Sequence, residues 1–127
     1  HRLGIDGHVH WRPWLPQEEL PGCYASHGVF LFPSLHDSGG LVVLEAMRSG
    51  LPTICLNLGG PGVVVDESCG RAIDVSHGDF DRLVNEMAKA ILDFTADPES
   101  WEAASRRARM AVEKSSWAAR VEELGVY

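Results

Sequence analysis

The sequence predicts an α/β fold: a Rossmann-like parallel sheet with helices on both faces. Three observations lead there. Short apolar runs alternate with longer amphipathic ones along the chain, as β–α units require. The clearest strand candidates, Val29–Phe32 and Thr53–Leu56, are compact apolar runs that suit buried strands. Right-handed crossovers between such strands carry the helices to both faces of the sheet.

Each element has its own signal. His8–Trp11 reads as a short strand, broken by Pro13 and Pro16. Gln17–Ser26 reads as a short helix, interrupted or restarted near Pro21. Val29–Phe32 is a strand closed by Pro33, and 34–40 is a loop. Leu41–Ser49 is a helix; Gly50 suits its C-terminal cap and Pro52 prevents continuation. Thr53–Leu56 is the next strand. A glycine-rich loop, 57–62, leads from it into a helical turn at 63–66. Arg71–Val75 is the last strand. Phe80, Leu83, Val84, Met87, Ala88, Ile91 and Leu92 then follow the i, i+3, i+4, i+7 spacing of an amphipathic helix, with Asp79 at its start. Glu99–Lys114 and Ser116–Leu124 complete the series as helices. Four strands are few for an open sheet of this kind, and the chain begins on His1. Further strands are therefore expected upstream.

The 127 residues suit one domain, and 45% apolar residues can build a core. A formal net charge of −7 argues against nucleic acid or an anionic membrane surface as the main partner, since both are bound through clustered cations. Arg106, Arg107 and Arg109 read as a solvated helix face. Cys23, Cys55 and Cys69 are odd in number and form no C-x-x-C pair. That disfavours a disulfide framework or zinc site and suits reduced thiols in a cytoplasmic protein. The apolar runs are too short to cross a bilayer.

Ligands of open parallel sheets bind at the carboxyl ends of the strands, which selects the loops 12–16, 34–40 and 57–62. The last two follow consecutive strands and should lie side by side. Gly39 and Gly40 open a helix, where bare backbone lets an anion approach unpaired N–H groups; an ordinary glycine turn is the plainer reading. Glu45 sits in a helix that is apolar nearly all round, which implies burial on most sides. A carboxylate there needs a salt bridge, a cap or ligand hydroxyls. Asp37 caps the same helix or holds sugar hydroxyls. His36 adjoins it, as a solvated loop residue or as a donor to a phosphate. His8 and His10 share a strand face but do not make a metal site by themselves. Trp11, Trp14, Trp101 and Trp117 read as packing residues, with Trp14 closest to a candidate loop.

The stretch VFLFPSLHDSGGLVVLEAMRSGLPTICLNLGG resembles the central motif of the family 4 glycosyltransferases, retaining nucleotide-sugar enzymes of GT-B fold. Pro33, Ser34, Gly40, Glu45, Ala46, Met47, Gly50, Pro52 and the Gly59–Gly60 pair match the family pattern. Upstream, VHWRPWLPQEELPGCYASHG resembles the family's Val-x-Phe-x-Gly-x-Leu segment and short helix. Downstream, Cys69–Gly70, the amphipathic helix and Ser116–Trp117 fit as well. The resemblance makes Glu45 and Asp37 the catalytic pair, Glu45 toward the ribose and Asp37 toward the donor sugar. It turns the backbone of Ser38, Gly39 and Gly40 toward sugar and phosphate, places Gly59 and Gly60 near the donor, and leaves His36 beside the donor phosphate. It also implies no cofactor and no metal, only a nucleoside-diphosphate sugar as substrate.

Four positions depart from the family pattern. Asp37 replaces a longer Glu, Gly39 replaces a Phe, Gly62 stands where Glu is common, and Pro13 stands where Gly is usual. The family's two leading β–α units, with their Gly-rich turn and basic pair, are absent from these residues, and so is its acceptor-binding domain. The expectation is one partial domain over 1–127, the C-terminal donor domain of a hexosyl-type transferase, inactive alone. Its exposed sheet edge invites self-association, and peripheral membrane contact stays open for the full enzyme. The alternatives are a non-catalytic nucleotide-sugar or interaction module, or an epimerase of similar fold.

Overall fold

The structure, a computed structural model, describes residues 3–36, 39–115 and 125. Its centre is a parallel sheet of three strands, β1 (Phe30–Phe32), β2 (Thr53–Leu56) and β3 (Gly70–Ile73), in the order β1-β2-β3. Thr53 pairs with Phe30 on one side and Gly70 on the other; Cys55 pairs with Phe32 and Ala72. Among the described residues, five α-helices pack around the sheet: α1 (Leu20–Ala25), α2 (Leu41–Arg48), α3 (Gly59–Val64), α4 (Phe80–Ala96) and α5 (Pro98–Lys114). The fold is α/β and Rossmann-like, as the alternation of runs implies.

The two-residue period of the strands divides the core. Ile54, Leu56 and Ile73 face one way and meet Met87, Ala90 and Phe94 of α4 with Ala104 of α5. Cys55 faces the other way, among Val43 and Met47 of α2, Val65, Cys69 and Ala108 of α5. All four residues of β2 are buried, which explains a run with no polar alternation. Each fully buried aliphatic side chain, Val43, Met47 and Ile54 among them, contributes about 1.5–3 kcal/mol. α5 serves both clusters, Ala104 in one and Ala108 in the other. Trp101 ties it to the sheet by donating its indole N–H to the Gly28 carbonyl, just before β1.

The caps agree with their residues. Asp79 accepts from the Arg82 N–H at 3.0 Å and starts α4. Asp97 does the same for α5 through the Glu99 N–H at 3.1 Å, with Pro98 in the first turn. Gly50, at φ +82°, ends α2: its N–H reaches the Met47 carbonyl at 2.9 Å, and that of Leu51 reaches Ala46 at 3.1 Å. The guanidinium of Arg109 packs over Gly50, where any Cβ would lie 2.5 Å from Nη2, so Arg109 is not simply a solvated face residue.

Three expectations about these elements need correction. Residues 8–11 form no strand. Asp6–His8 is a single 3-10 turn and 9–11 is exposed, because a strand needs a neighbouring ladder and β1 pairs only with β2 among the described residues. Trp11 and Trp14 accordingly do not pack; they are 88% and 77% exposed. The turn assigned to 63–66 lies further upstream, as α3 from Gly59. A proline as third helical residue needs no N–H partner there, so the glycine-rich segment enters the helix instead of looping. The helix expected over 17–26 with a break or restart near Pro21 is borne out, as a 3-10 turn, Gln17–Glu19, followed by α1, the change falling beside Pro21. Asp37, Ser38, Trp117 and the helix expected over 116–124 lie outside the described residues.

Candidate functional site

The carboxyl ends of β1 and β2 bring two glycine segments together. After Phe32 the chain leaves the strand at Pro33 and bends at Leu35; the His36 N–H donates to Ser34 Oγ at 3.4 Å, and His36 is exposed. Gly40 is the N-cap of α2 at φ +62°, a left-handed conformation that suits glycine. It is buried, and Gly39 beside it is exposed. A Cβ on Gly40 would lie 3.2 Å from Pro61 N and 3.4 Å from the carbonyl carbon of Gly60. The start of α2 therefore abuts the start of α3, and the expected neighbourhood of the two loops is a contact. Gly59 is exposed and Gly60 half-buried, so one edge of this contact is open.

Glu45 lies one turn into α2, and here the structure overturns the expected burial. The helix is not covered on most sides: Leu41 is 70% exposed, Val42 39%, and Glu45 itself is exposed. α5 covers only the Val43, Met47 face. Glu45 instead forms part of the wall of a cavity of about 400 Å³ between α1 and α2. Its α2 side is Glu45, Arg48 and Ser49, and its α1 side is Gln17, Leu20, Pro21 and Tyr24. The size is within the ordinary range for small-molecule sites. The wall mixes an apolar surface with a carboxylate, a guanidinium, an amide and hydroxyls. That inventory can grip a flat or ring-shaped group and hydrogen-bond its polar edge.

The Tyr24 hydroxyl donates to Glu45 Oε2 at 3.5 Å. Burial pushes the Tyr24 phenol above its ordinary pKa, and the negative charge of Glu45 adds to the effect. The sequence reading overlooked Tyr24 and Gln17. A signal was present: Gln17, Leu20, Pro21 and Tyr24 follow i, i+3, i+4, i+7, and Glu45, Arg48 and Ser49 follow i, i+3, i+4. Two helix faces with this spacing meet to form the cavity.

A second cavity, about 730 Å³, opens on the other flank of α2 toward α5, lined by Leu41, Leu44, Arg48, Arg109, Val112, Glu113 and Ser115. Arg48 borders both. Among the described residues no helix is long and apolar enough to cross a membrane.

The family model of the glycosyl transferases group 1 matches residues 1–114. Sucrose synthase 1 of Hordeum vulgare is 40% identical over 108 residues, covering 79% of this chain and 13% of that protein. The O-antigen chain mannosyltransferase B of Escherichia coli is 30% identical over 113 residues, 88% of this chain and 28% of that protein. The sulfoquinovosyl transferase SQD2 of Arabidopsis thaliana is 36% identical over 107 residues, 83% of this chain and 20% of that protein. The chain thus spans well under a third of the length of each of these relatives.

Proposed function

The chain belongs to the glycosyl transferases group 1 family, and on that premise we propose that it forms the donor side of a retaining, GT-B-type glycosyl transfer site. The donor is a nucleoside-diphosphate sugar. In the reaction the bond from the sugar's anomeric carbon to the diphosphate breaks, a bond to an acceptor hydroxyl forms on the same face, and the nucleoside diphosphate leaves. No resident cofactor or metal enters this scheme.

The observation that carries the reading is the placement of Glu45. Its carboxylate opens into a cavity between α1 and α2, one turn along the helix whose N-cap, Gly40, abuts the second glycine segment. In this reading Glu45 accepts hydrogen bonds from the ribose hydroxyls. The diphosphate turns toward the start of α2 at Gly39–Gly40, where the helix dipole favours an anion, with Ser38 and His36 beside it. Asp37 holds the sugar hydroxyls, and Gly59 and Gly60 border the donor. Donor domain and acceptor domain complete the site together, because orientation of two reactants supplies much of the rate. The 127 residues alone bind donor without turnover.

The test is a titration of the protein with UDP, GDP, ADP and their sugars, with Glu45→Ala in parallel. One nucleotide series binds, and the substitution weakens it by about 10- to 100-fold, the loss of a charge-assisted hydrogen bond pair. Equal binding by both proteins removes Glu45 from the donor site. Absence of binding to any of them favours the non-catalytic module.

A further inference from the structure

A glutamate exposed on a helix has several rotamers, and a ligand that needs one of them must bear the entropy of selecting it. Glu45 is such a residue, and the structure gives it a partner from 21 positions away. The Tyr24 hydroxyl donates to Oε2 at 3.5 Å. Tyr24 is itself anchored. Its ring meets Phe30 edge to face, centroids 5.8 Å apart at 87°. Phe30 stacks in turn on Phe32, 5.8 Å apart at 18°. Both phenylalanines lie on β1 and pack against the core beneath α2. A line of rings therefore runs from the sheet to the hydroxyl that touches Glu45.

The chemistry suits a tether. A phenol offers one O–H, so it occupies one lone pair of one carboxylate oxygen. Oε1 and the remaining lone pairs stay available for two vicinal hydroxyls. A phenol keeps that hydrogen at neutral pH. Tyr24 and Glu45 also line the same cavity, so the tether acts where the ligand enters.

Resting on the reading of Glu45 as the ribose acceptor, we propose that Tyr24 is a positioning residue. Its hydroxyl holds the Glu45 carboxylate in the orientation that accepts the ribose hydroxyls, and so sets the preference of the site for ribonucleotides over deoxyribonucleotides.

The experiment measures the dissociation constants of UDP and 2′-deoxy-UDP, with the ADP and GDP pairs alongside, on the intact protein. The variants are Tyr24→Phe, Glu45→Ala and the double substitution. Tyr24→Phe keeps the ring on Phe30 and removes only the hydroxyl. The expected result is that Glu45→Ala brings the ribo-to-deoxyribo ratio close to one, while Tyr24→Phe lowers it by about three- to ten-fold, the range for one ordinary solvent-exposed hydrogen bond. The double variant matches Glu45→Ala, since Tyr24 acts through Glu45. Two results overturn the proposal and leave the role of Glu45 standing: an unchanged ratio in Tyr24→Phe, or an equal weakening of both nucleotides, which marks a purely structural hydroxyl. A ratio that survives Glu45→Ala, or a wild type that binds none of the nucleotides, overturns the underlying reading and the proposal with it.

Discussion

Replacing Gly40 with alanine tests whether the two glycine segments form one site. The substitution has three effects on stability. A left-handed conformation costs an L-residue about 1–2 kcal/mol. Alanine restricts the unfolded chain and returns about 0.4–1 kcal/mol. The third effect is contact: the new Cβ lies 3.2 Å from Pro61 N, 3.3 Å from Pro61 Cδ and 3.4 Å from the Gly60 carbonyl carbon. These are backbone atoms of Gly60 and the buried Pro61 and a ring atom of Pro61, and none can rotate away. The segments must separate by a few tenths of an ångström, at an overpacking cost of about 1–3 kcal/mol. Gly78→Ala isolates the first two effects, because Gly78 has φ +65° and nothing within 4 Å of a Cβ. Urea unfolding followed by circular dichroism should show Gly78→Ala destabilised by about 0.5–1 kcal/mol and Gly40→Ala by about 1–2 kcal/mol more. Nucleotide binding should weaken in Gly40→Ala and hold in Gly78→Ala. Equal stability losses would mean that the starts of α2 and α3 do not touch, and the joint site would go with them.

Two further predictions concern ionisable groups. Asp66, Asp74 and Asp97 have carboxyls held below the usual range by hydrogen bonds, from Ser68 to Asp66, from Ser76 to Asp74, and from Ser100 and the Glu99 N–H to Asp97. A depressed folded-state pKa contributes stability that is whole above the unfolded value, about 3.9, and is lost as pH falls through the folded value. Urea midpoints should therefore drop between about pH 4 and pH 2, and the triple Asp→Asn variant should flatten the slope; an unaltered slope would assign the acid sensitivity elsewhere. Burial pushes the Cys55 thiol up to about 11, with the neighbouring Cys69 adding to the effect, and Cys69 is raised by burial too. A thiol reagent at pH 8 should label the half-buried Cys23 in the native protein and reach Cys55 and Cys69 only on unfolding. Rapid native labelling of all three would contradict the packing of β2 against α2.

The sequence by itself determined whatever depends on local periodicity and capping. Thr53–Leu56, the helix α4, the Asp79 cap and the Gly50 terminus are each encoded within a few residues, and the structure reproduces them, although α4 buries Met87, Ala90 and Phe94 and leaves Phe80, Val84 and Leu92 of the expected face exposed. The parallel α/β architecture follows from their order. Tertiary structure decided the rest. His8–Trp11 has a strand's composition, but a strand exists only beside another, and none pairs with it among the described residues. Gly59–Gly60 looks like a loop because glycine disfavours helix, yet the first turn of a helix needs no internal N–H partner and Pro61 fits there. The apolar count of α2 implied a buried helix. Only the position of α5, which covers the Val43 and Met47 face, leaves Glu45 on the open side. Likewise the meeting of Tyr24 with Glu45 joins residues 21 positions apart, on helices separated by a strand. Spacing along a helix says which residues share a face; which face stays open depends on what the rest of the chain packs against it.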